Sequence, residues 1–459
     1  MVCGVVGLAG GALLVGHRAG LGAALIGAAV WSAAVPVLVR RRALGDLATV
    51  GLAIALVAVV AVRDAGWLVA SCMVMALLAA ASASTAARAA PAVLLSGVSW
   101  AAGAVRAVPW VGRGVPVSSA RRPQVLTGLR SAAVTIALLV VFGALFASAD
   151  GVFASYLPRL AVEDLPGQVA VGLLVALTAA TFAHLALAPP GWAGLRPRMP
   201  AASTRGAWLL PVLALDALVT AFILVQVGAL VGGHRYVEET AGLGYAEYAR
   251  GGFGQLVAVT ALTLVVVTVA ARRAPRATPR DRLVSAVALA VLCLATLGVV
   301  ASALRRMDLY VEAVGMTRLR VFVVVVEIVL GAVLVLVMAA GVRWRGDWVP
   351  RAVVQVAAVA MLGLAIANPD ALIARHNTTI EPESGLDVAY LRGLSADAVP
   401  VLDGIDEPLR SCVLGAIEVH RPTSFVDWNL SRDDAAGTLA TADVEADACA
   451  EIDPAWWAR

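Results

Sequence analysis

The chain is 459 residues long, 61% hydrophobic and only 14% charged, with a mean hydropathy of +0.87. Soluble domains carry charge on about a quarter of their residues, so a soluble globular protein is excluded and an integral membrane protein is indicated. The net charge of +4 and pI near 9.0 do not point to nucleic acid, because all 35 basic residues are arginine and concentrate in loops where membrane orientation accounts for them.

A hydrocarbon core about 30 Å thick needs roughly 20 helical residues at 1.5 Å each. In chain order, apolar runs predict spans at Val2–Val15 (a short one), Leu21–Val39, Leu47–Val62, Trp67–Ala83, Ala132–Ala149 and Val169–Leu187. Further runs follow at Trp208–Val231, Leu256–Ala271, Leu283–Leu304, Val321–Gly341 and Val353–Ala367. The expected fold is therefore all-α, a polytopic transmembrane helical bundle of about eleven spans. Pro91–Pro109 is too interrupted to span cleanly. Its alanine, valine and tryptophan content predicts a helix lying in the inner interface, with a re-entrant or spanning segment as the alternative.

Arginine asymmetry sets the orientation. Placing the loops 40–42, 88–130, 196–205, 272–282 and 343–351 on one side collects twenty arginines there, against nine in the short loops opposite. Short cytoplasmic loops retain positive charge, so the N-terminus is expected inside. The organisation that follows is N-terminal transmembrane helices (1–90), a cytoplasmic basic or interfacial segment (91–130), a transmembrane core (131–367) and an extracytoplasmic tail (368–459). The tail carries 17 of the 31 acidic residues and reads as a small, mostly helical soluble domain. Cys412 and Cys449 both lie in it, on the side where a disulfide would persist, and bonded and free thiols are equally compatible with their spacing. The five cysteines show no CxxC or Cys/His metal spacing, so neither a metal nor a cofactor is expected.

Two carboxylates fall inside spans, Asp216 and Glu327, each about 12 Å from its own helix end. An ionised carboxylate there costs at least about 2.5 to 3.5 kcal/mol, so each must be neutral, paired or facing water. One reading makes them structural hydrogen-bonding groups, the other a proton or cation relay that includes Gln226. On the outer face, the stretch Ser302 to Tyr310 reads as a charged loop continuing to Arg320. Arg250, Arg305, Arg306, Arg318 and Arg320 form the candidate anion-binding set, with Asp150 and Asp308 to orient them and Tyr310 beside them. The planar guanidinium suits phosphate or carboxylate, and an interfacial cluster suits a lipid headgroup. The bland counterpart is a network of salt bridges and snorkelling side chains that anchors helix ends.

These residues carry a resemblance. The motifs Leu145–Phe153, Val225-Gln226, Gly232-Gly233, Tyr245–Phe253, Ser302–Tyr310, Gly315–Arg320, Ile373–Asn377, Leu394–Pro400 and Trp428–Ser431, in this order, resemble the bacterial membrane family known as domain-of-unknown-function family 4153, with its near neighbour 4173. The resemblance spans roughly residues 127–434 and implies a multi-span protein with an appended hydrophilic tail. It implies no activity. The favoured expectation is a non-enzymatic protein of the cytoplasmic membrane whose partners are membrane lipids and an anionic or lipid-phosphate ligand, bound or transported. The alternatives are a polyprenyl-phosphate-dependent glycosyltransferase-like enzyme, with Asp64 or Asp150 as acid/base, and an envelope sensor or scaffold whose tail binds a protein partner.

Overall fold

The computed structural model describes residues 2–114, 164–191, 204–241, 253–275, 277–380, 386–445 and 448–452, with Ser131, Thr135, Leu138 and Phe142 as isolated helical positions. The side chains of residues 113–114, 205, 229–241 and 451 are not described. Every regular element among these residues is helical, as the composition predicts. The first half comprises α1 (Val2–Leu14), α2 (Leu21–Ser32), α3 (Val35–Arg40), α4 (Leu44–Ala58), α5 (Gly66–Ser84), α6 (Ala90–Ser96), α7 (Ser99–Gly114) and α8 (Leu165–Leu187). The second comprises α9 (Arg205–Ala241), α10 (Phe253–Arg273), α11 (Pro279–Val314), α12 (Arg318–Arg343) and α13 (Val349–Ala367). In the tail, α14 (Pro369–Thr379), α15 (Val388–Arg392), α16 (Val399–Leu402), α17 (Leu409–Leu414) and α18 (Leu430–Thr441) follow with short 3₁₀ turns between them.

Nine helices among the described residues are long and apolar enough to cross a bilayer, α2 and α3 counting together as Leu21–Arg40. The pair α6/α7, bent by 61°, would make a tenth if it counts as one span. Pro91 opens α6, and Gly97 and Val98 fall at the bend. Helix α1 is apolar but only 13 residues long. The expected span Ala132–Ala149 lies outside the described residues except at three positions.

The stretch expected as a charged loop is helical. Helix α11 continues without interruption from Pro279 to Val314, 36 residues, or about 54 Å at 1.5 Å per residue. That exceeds the hydrocarbon thickness, so the last turns carry Arg305 to Glu312 beyond it. Charge alone does not break a helix. Arginine, leucine, methionine and alanine are all good helix formers, and Arg305 pairs with Asp308 at i,i+3. At the other end, Thr278 and Asp281 form a reciprocal capping box with Pro279 in the first turn. The helix ends where Gly315 takes φ of 82°, a conformation that a side chain would strain. Thr317 then caps α12.

Among the described residues the apolar side chains form two large cores and two small clusters in the helical body and one core in the tail. The first draws on α2, α4, α5, α8 and α13, around Leu56, Leu68, Phe182 and Ala358. The second draws on α9 to α12, around Leu292, Val299 and Leu334. Val321, Phe322 and Val325 of α12 pack on the first core, with Phe322 edge-on to Trp67, so α12 joins the two. The tail core gathers Ile373, Leu391, Val399, Leu402, Val413 and Ala435, and Cys412 and Cys449 are joined there in a disulfide.

Helix ends sort to two faces. Arg88 makes two hydrogen bonds to Asp46 at 2.9–3.0 Å, and Arg351 approaches the same carboxylate at 3.5 Å. Arg41 donates to the Leu187 carbonyl. These contacts gather the ends of α3, α5 and α8 with the starts of α4 and α13 on one face. The tail sits on the opposite one. Close packing of α1 on α8 depends on Gly11, where a Cβ would lie 2.2 Å from the Gln168 carbonyl oxygen, whereas one on Gly4 would meet nothing within 4 Å. Gly11→Ala is therefore expected to destabilise by about 1–3 kcal/mol and Gly4→Ala to have no such effect. Thermal unfolding in detergent reads the difference, and equal melting temperatures would refute the packing.

Candidate functional site

At the tail-bearing face, backbone groups at helix ends are satisfied by side chains from far along the chain. Asp397, 3% exposed, accepts the N–H groups of Asp64 and Ala65 at 2.9 and 2.7 Å at the start of α5, where the helix dipole favours a negative charge. It also accepts from the hydroxyls of Ser395 and Ser431. Asn429 donates to the carbonyls of Val60 and Arg63, and Ser431 donates to Val62. These carbonyls end the α4 segment. Arg63 in turn donates to the Ala365 and Ile366 carbonyls at the end of α13. The backbone N–H groups of Leu21 and Gly22 donate to the carbonyls of Trp428 and Val426, so the tail also closes the start of α2. Gly20 permits this, since a Cβ there would lie 2.6 Å from the Trp428 oxygen.

Asp370 is the second centre. It is fully buried and receives Arg318 through Nε at 3.0 Å and Nη2 at 2.6 Å. Ser395 donates to it from backbone and hydroxyl, and Trp67 Nε1 donates at 3.2 Å. Burial alone would raise the Asp370 carboxyl, but the Arg318 fork and Ser395 outweigh it and hold the group below the usual carboxylate range. Asp64 goes the other way. Its burial raises the carboxyl, only partly countered by Arg432, whose Nε lies 3.7 Å away.

The candidate arginines thus fall into different surroundings. Arg305 is exposed and paired with Asp308 at 2.5 Å. Arg306 is buried and donates to Gln226 at 3.0 Å, beside the Ser302 hydroxyl at 3.3 Å from the same oxygen. Arg318 is committed to Asp370. Arg320 donates from Nη1 to the Val314 and Gly315 carbonyls, closing α11, and stacks over the Tyr310 ring at 4.2 Å. Its Nε and Nη2 have no protein acceptor among the described residues. Arg250 and Asp150 lie outside the described residues.

Beside Arg320 and Tyr310, a cavity of about 500 Å³ opens between three helices. Phe253, Gly254 and Val257 line it from α10, Met307 from α11, and Leu319 and Val323 from α12, with Thr317 at the connecting turn. The lining is apolar apart from Arg320, Thr317 and the Tyr310 hydroxyl. The three intramembrane polar residues are not brought together by hydrogen bonds. Asp216 is 6% exposed and neither of its oxygens has a partner among the described residues. Glu327 is fully buried, with the Thr260 hydroxyl 3.4 Å from Oε1, and Gln226 faces Ser302 and Arg306.

Asp370, Asp397, Arg63 and Arg432 were not among the sequence candidates. Asp397 lies in the motif Leu394–Pro400, and Asn429 and Ser431 lie in Trp428–Ser431. Those motifs were the available signal.

Nine bilayer-length apolar helices among the described residues, closed at one face by a folded polar tail, define a multi-pass integral membrane protein. The chain belongs to the family described as Domain of unknown function (DUF4153), whose model matches residues 51–405. That match begins earlier than the motif resemblance and ends before Asn429. Neither a curated protein nor a solved structure matches the chain.

The two aspartates make opposite predictions. Asp370 has a depressed carboxyl, so its contribution to stability is present above the ordinary carboxylate value and is lost as pH falls through the lower folded value. Asp370→Asn at neutral pH weakens the partnership with Arg318 and is expected to cost about 3 kcal/mol. Asp64 has a raised carboxyl, so folding favours its neutral form and stability declines as pH rises between the ordinary and raised values. Asp64→Asn is expected to remove that decline without destabilising at pH 7. Melting temperatures measured across pH test both, and a loss in Asp64→Asn as large as in Asp370→Asn would overturn the assignment.

Proposed function

We propose that this protein resides in the cytoplasmic membrane and binds an anionic amphiphile, a lipid or lipid-linked phosphate or carboxylate, in the cavity between α10, α11 and α12. The observation that carries this reading is the pairing of a 500 Å³ apolar cavity with a single guanidinium at its polar end, two of whose nitrogens are uncommitted within the described chain. Apolar chain and anionic head would each find a complementary surface. Arg305 would add long-range attraction, while Arg306 and Arg318 act as structural cations. No carboxylate lines the cavity among the described residues, which favours binding over transferase chemistry. Transport is not needed to account for the cavity.

Orientation belongs to the same reading. The arginine bias supports an inside N-terminus. The disulfide and acidic character of the tail support an extracytoplasmic face for it, with the tail as a separate domain beginning near Asn368. The cavity lies on the tail-bearing face, so its ligand would be met from the outer leaflet.

Native mass spectrometry of the purified protein is expected to find a retained anionic lipid. Arg320→Gln should lower its retention about tenfold, the loss of one charge-assisted hydrogen bond of about 1.5 kcal/mol. Gly254→Phe, whose Cβ would meet nothing within 4 Å, should displace the lipid by filling the cavity. Retention unchanged in both variants would end the proposal. Separately, reporters fused after Arg345 and after residue 459 should report opposite sides, the second outside. The reverse pattern would overturn the orientation.

A further inference from the structure

Helices α10 and α12 both begin at the cavity and run away from it in the same direction, with α11 antiparallel against them. Val257 and Val323 are the deepest lining residues on α10 and α12. Thr260 follows Val257 by three residues, and Glu327 follows Val323 by four. Residues so spaced share a helix face, and helical side chains lean toward the N-terminus of their own helix. Both polar groups therefore lean back toward the cavity floor, one turn above them. Glu327 is fully buried, and its Oε2 has no hydrogen-bond partner among the described residues.

The pair is arranged for two protonation states. The Thr260 hydroxyl has one hydrogen and two acceptors within reach, the Leu256 carbonyl at 3.0 Å and Glu327 Oε1 at 3.4 Å. With a carboxylic acid at Glu327, the hydroxyl serves Leu256 and its oxygen accepts from the acid. With a carboxylate, the hydroxyl turns to donate to it. No backbone rearrangement is required.

We infer that Thr260 and Glu327 form a buried proton-exchanging acid site one turn beyond the lining residues Val257 and Val323, reached by apolar or amphiphilic molecules through the opening beside Arg320. This deepens the amphiphile reading, because the same opening serves both. An occupant with its anionic head at Arg320 would project its apolar part toward Glu327, so ionisation of Glu327 would oppose occupancy. The charged and titratable groups on the surrounding helices are Arg318 and Arg320 toward the opening and Arg343 at the far end of α12, Arg280, Asp281, Arg282, Arg305, Arg306, Asp308, Tyr310 and Glu312 on α11, Arg272 and Arg273 at the far end of α10, Asp216 within α9, and Asp370, Arg375 and His376 on α14. Cys293 lies mid-helix on α11, and Arg351 at the start of α13. None of them is hydrogen-bonded to Glu327.

The test is chemical labelling of the full-length protein in detergent with dicyclohexylcarbodiimide, an apolar reagent that reacts with carboxylic acids rather than carboxylates. The acid proton passes to a reagent nitrogen while the carboxyl oxygen bonds to the central carbon. Acyl migration to nitrogen then leaves a stable adduct retaining the whole reagent. Peptide mass spectrometry is expected to find the adduct at Glu327, with a rate falling about tenfold per pH unit above its midpoint. Labelling should drop to background in Gly254→Trp, which fills the opening, and Thr260→Val should move the midpoint upward by removing the donor to the carboxylate. The same melting measurement used for Asp370 confirms that these variants are folded. Absence of an adduct at Glu327 across the pH series, or labelling undiminished in folded Gly254→Trp, would overturn the site. Labelling with no retained lipid would sink the amphiphile reading alone, and retained lipid with no labelling would sink the acid site alone.

Discussion

A helix that stops at a membrane surface leaves backbone N–H and C=O groups unpaired at its end, and where water is excluded each one is costly. On the tail-bearing face this protein meets the constraint with side chains. Asp397 takes the amides at the start of α5, Asn429 and Ser431 take the carbonyls at the end of α4, and Arg63 and Arg320 close α13 and α11. The tail is thereby hydrogen-bonded to the helical body at several helix ends. Arg318 with Asp370 links the start of α12 to the first helix of the tail in the same way.

This explains why arginines that resemble an anion-binding cluster divide so unevenly. Guanidinium groups satisfy several carbonyls at once, and a face crowded with helix ends offers many. Arg318 and Arg306 are absorbed by buried oxygen partners, whereas Arg320 uses one nitrogen for the α11 carbonyls and also lines the cavity. One side chain thereby belongs both to the α11–α12 turn and to the cavity wall. Among the described residues no hydrogen bond joins Asp216, Gln226 and Glu327 to one another.

Much of the fold could be read from the sequence, because bilayer thickness dictates helix length and the expected spans required only counting. The boundary at Leu304 was misplaced since a run of charges looks like a loop, yet nothing in Arg305–Tyr310 opposes a helix and the first true stop is Gly315. The candidate site was harder. Asp370 and Asp397 are ordinary residues until partners some 50 and 330 positions away are brought to them, and no periodicity encodes such pairings. The cavity likewise depends on how three helices lean together. What the sequence did carry was the motifs, and Leu394–Pro400 and Trp428–Ser431 turn out to hold the serines, asparagine and aspartate that close the helix ends.

Residues near 429 completing contacts with residues near 20 and 60 also impose an order on biosynthesis. Helices α4 and α5 leave the ribosome long before their closing partners exist, and their ends wait unpaired until the segment near residue 429 has been made. Closure of these helix ends therefore waits on the segment near residue 429, some 370 positions after the carbonyls it satisfies.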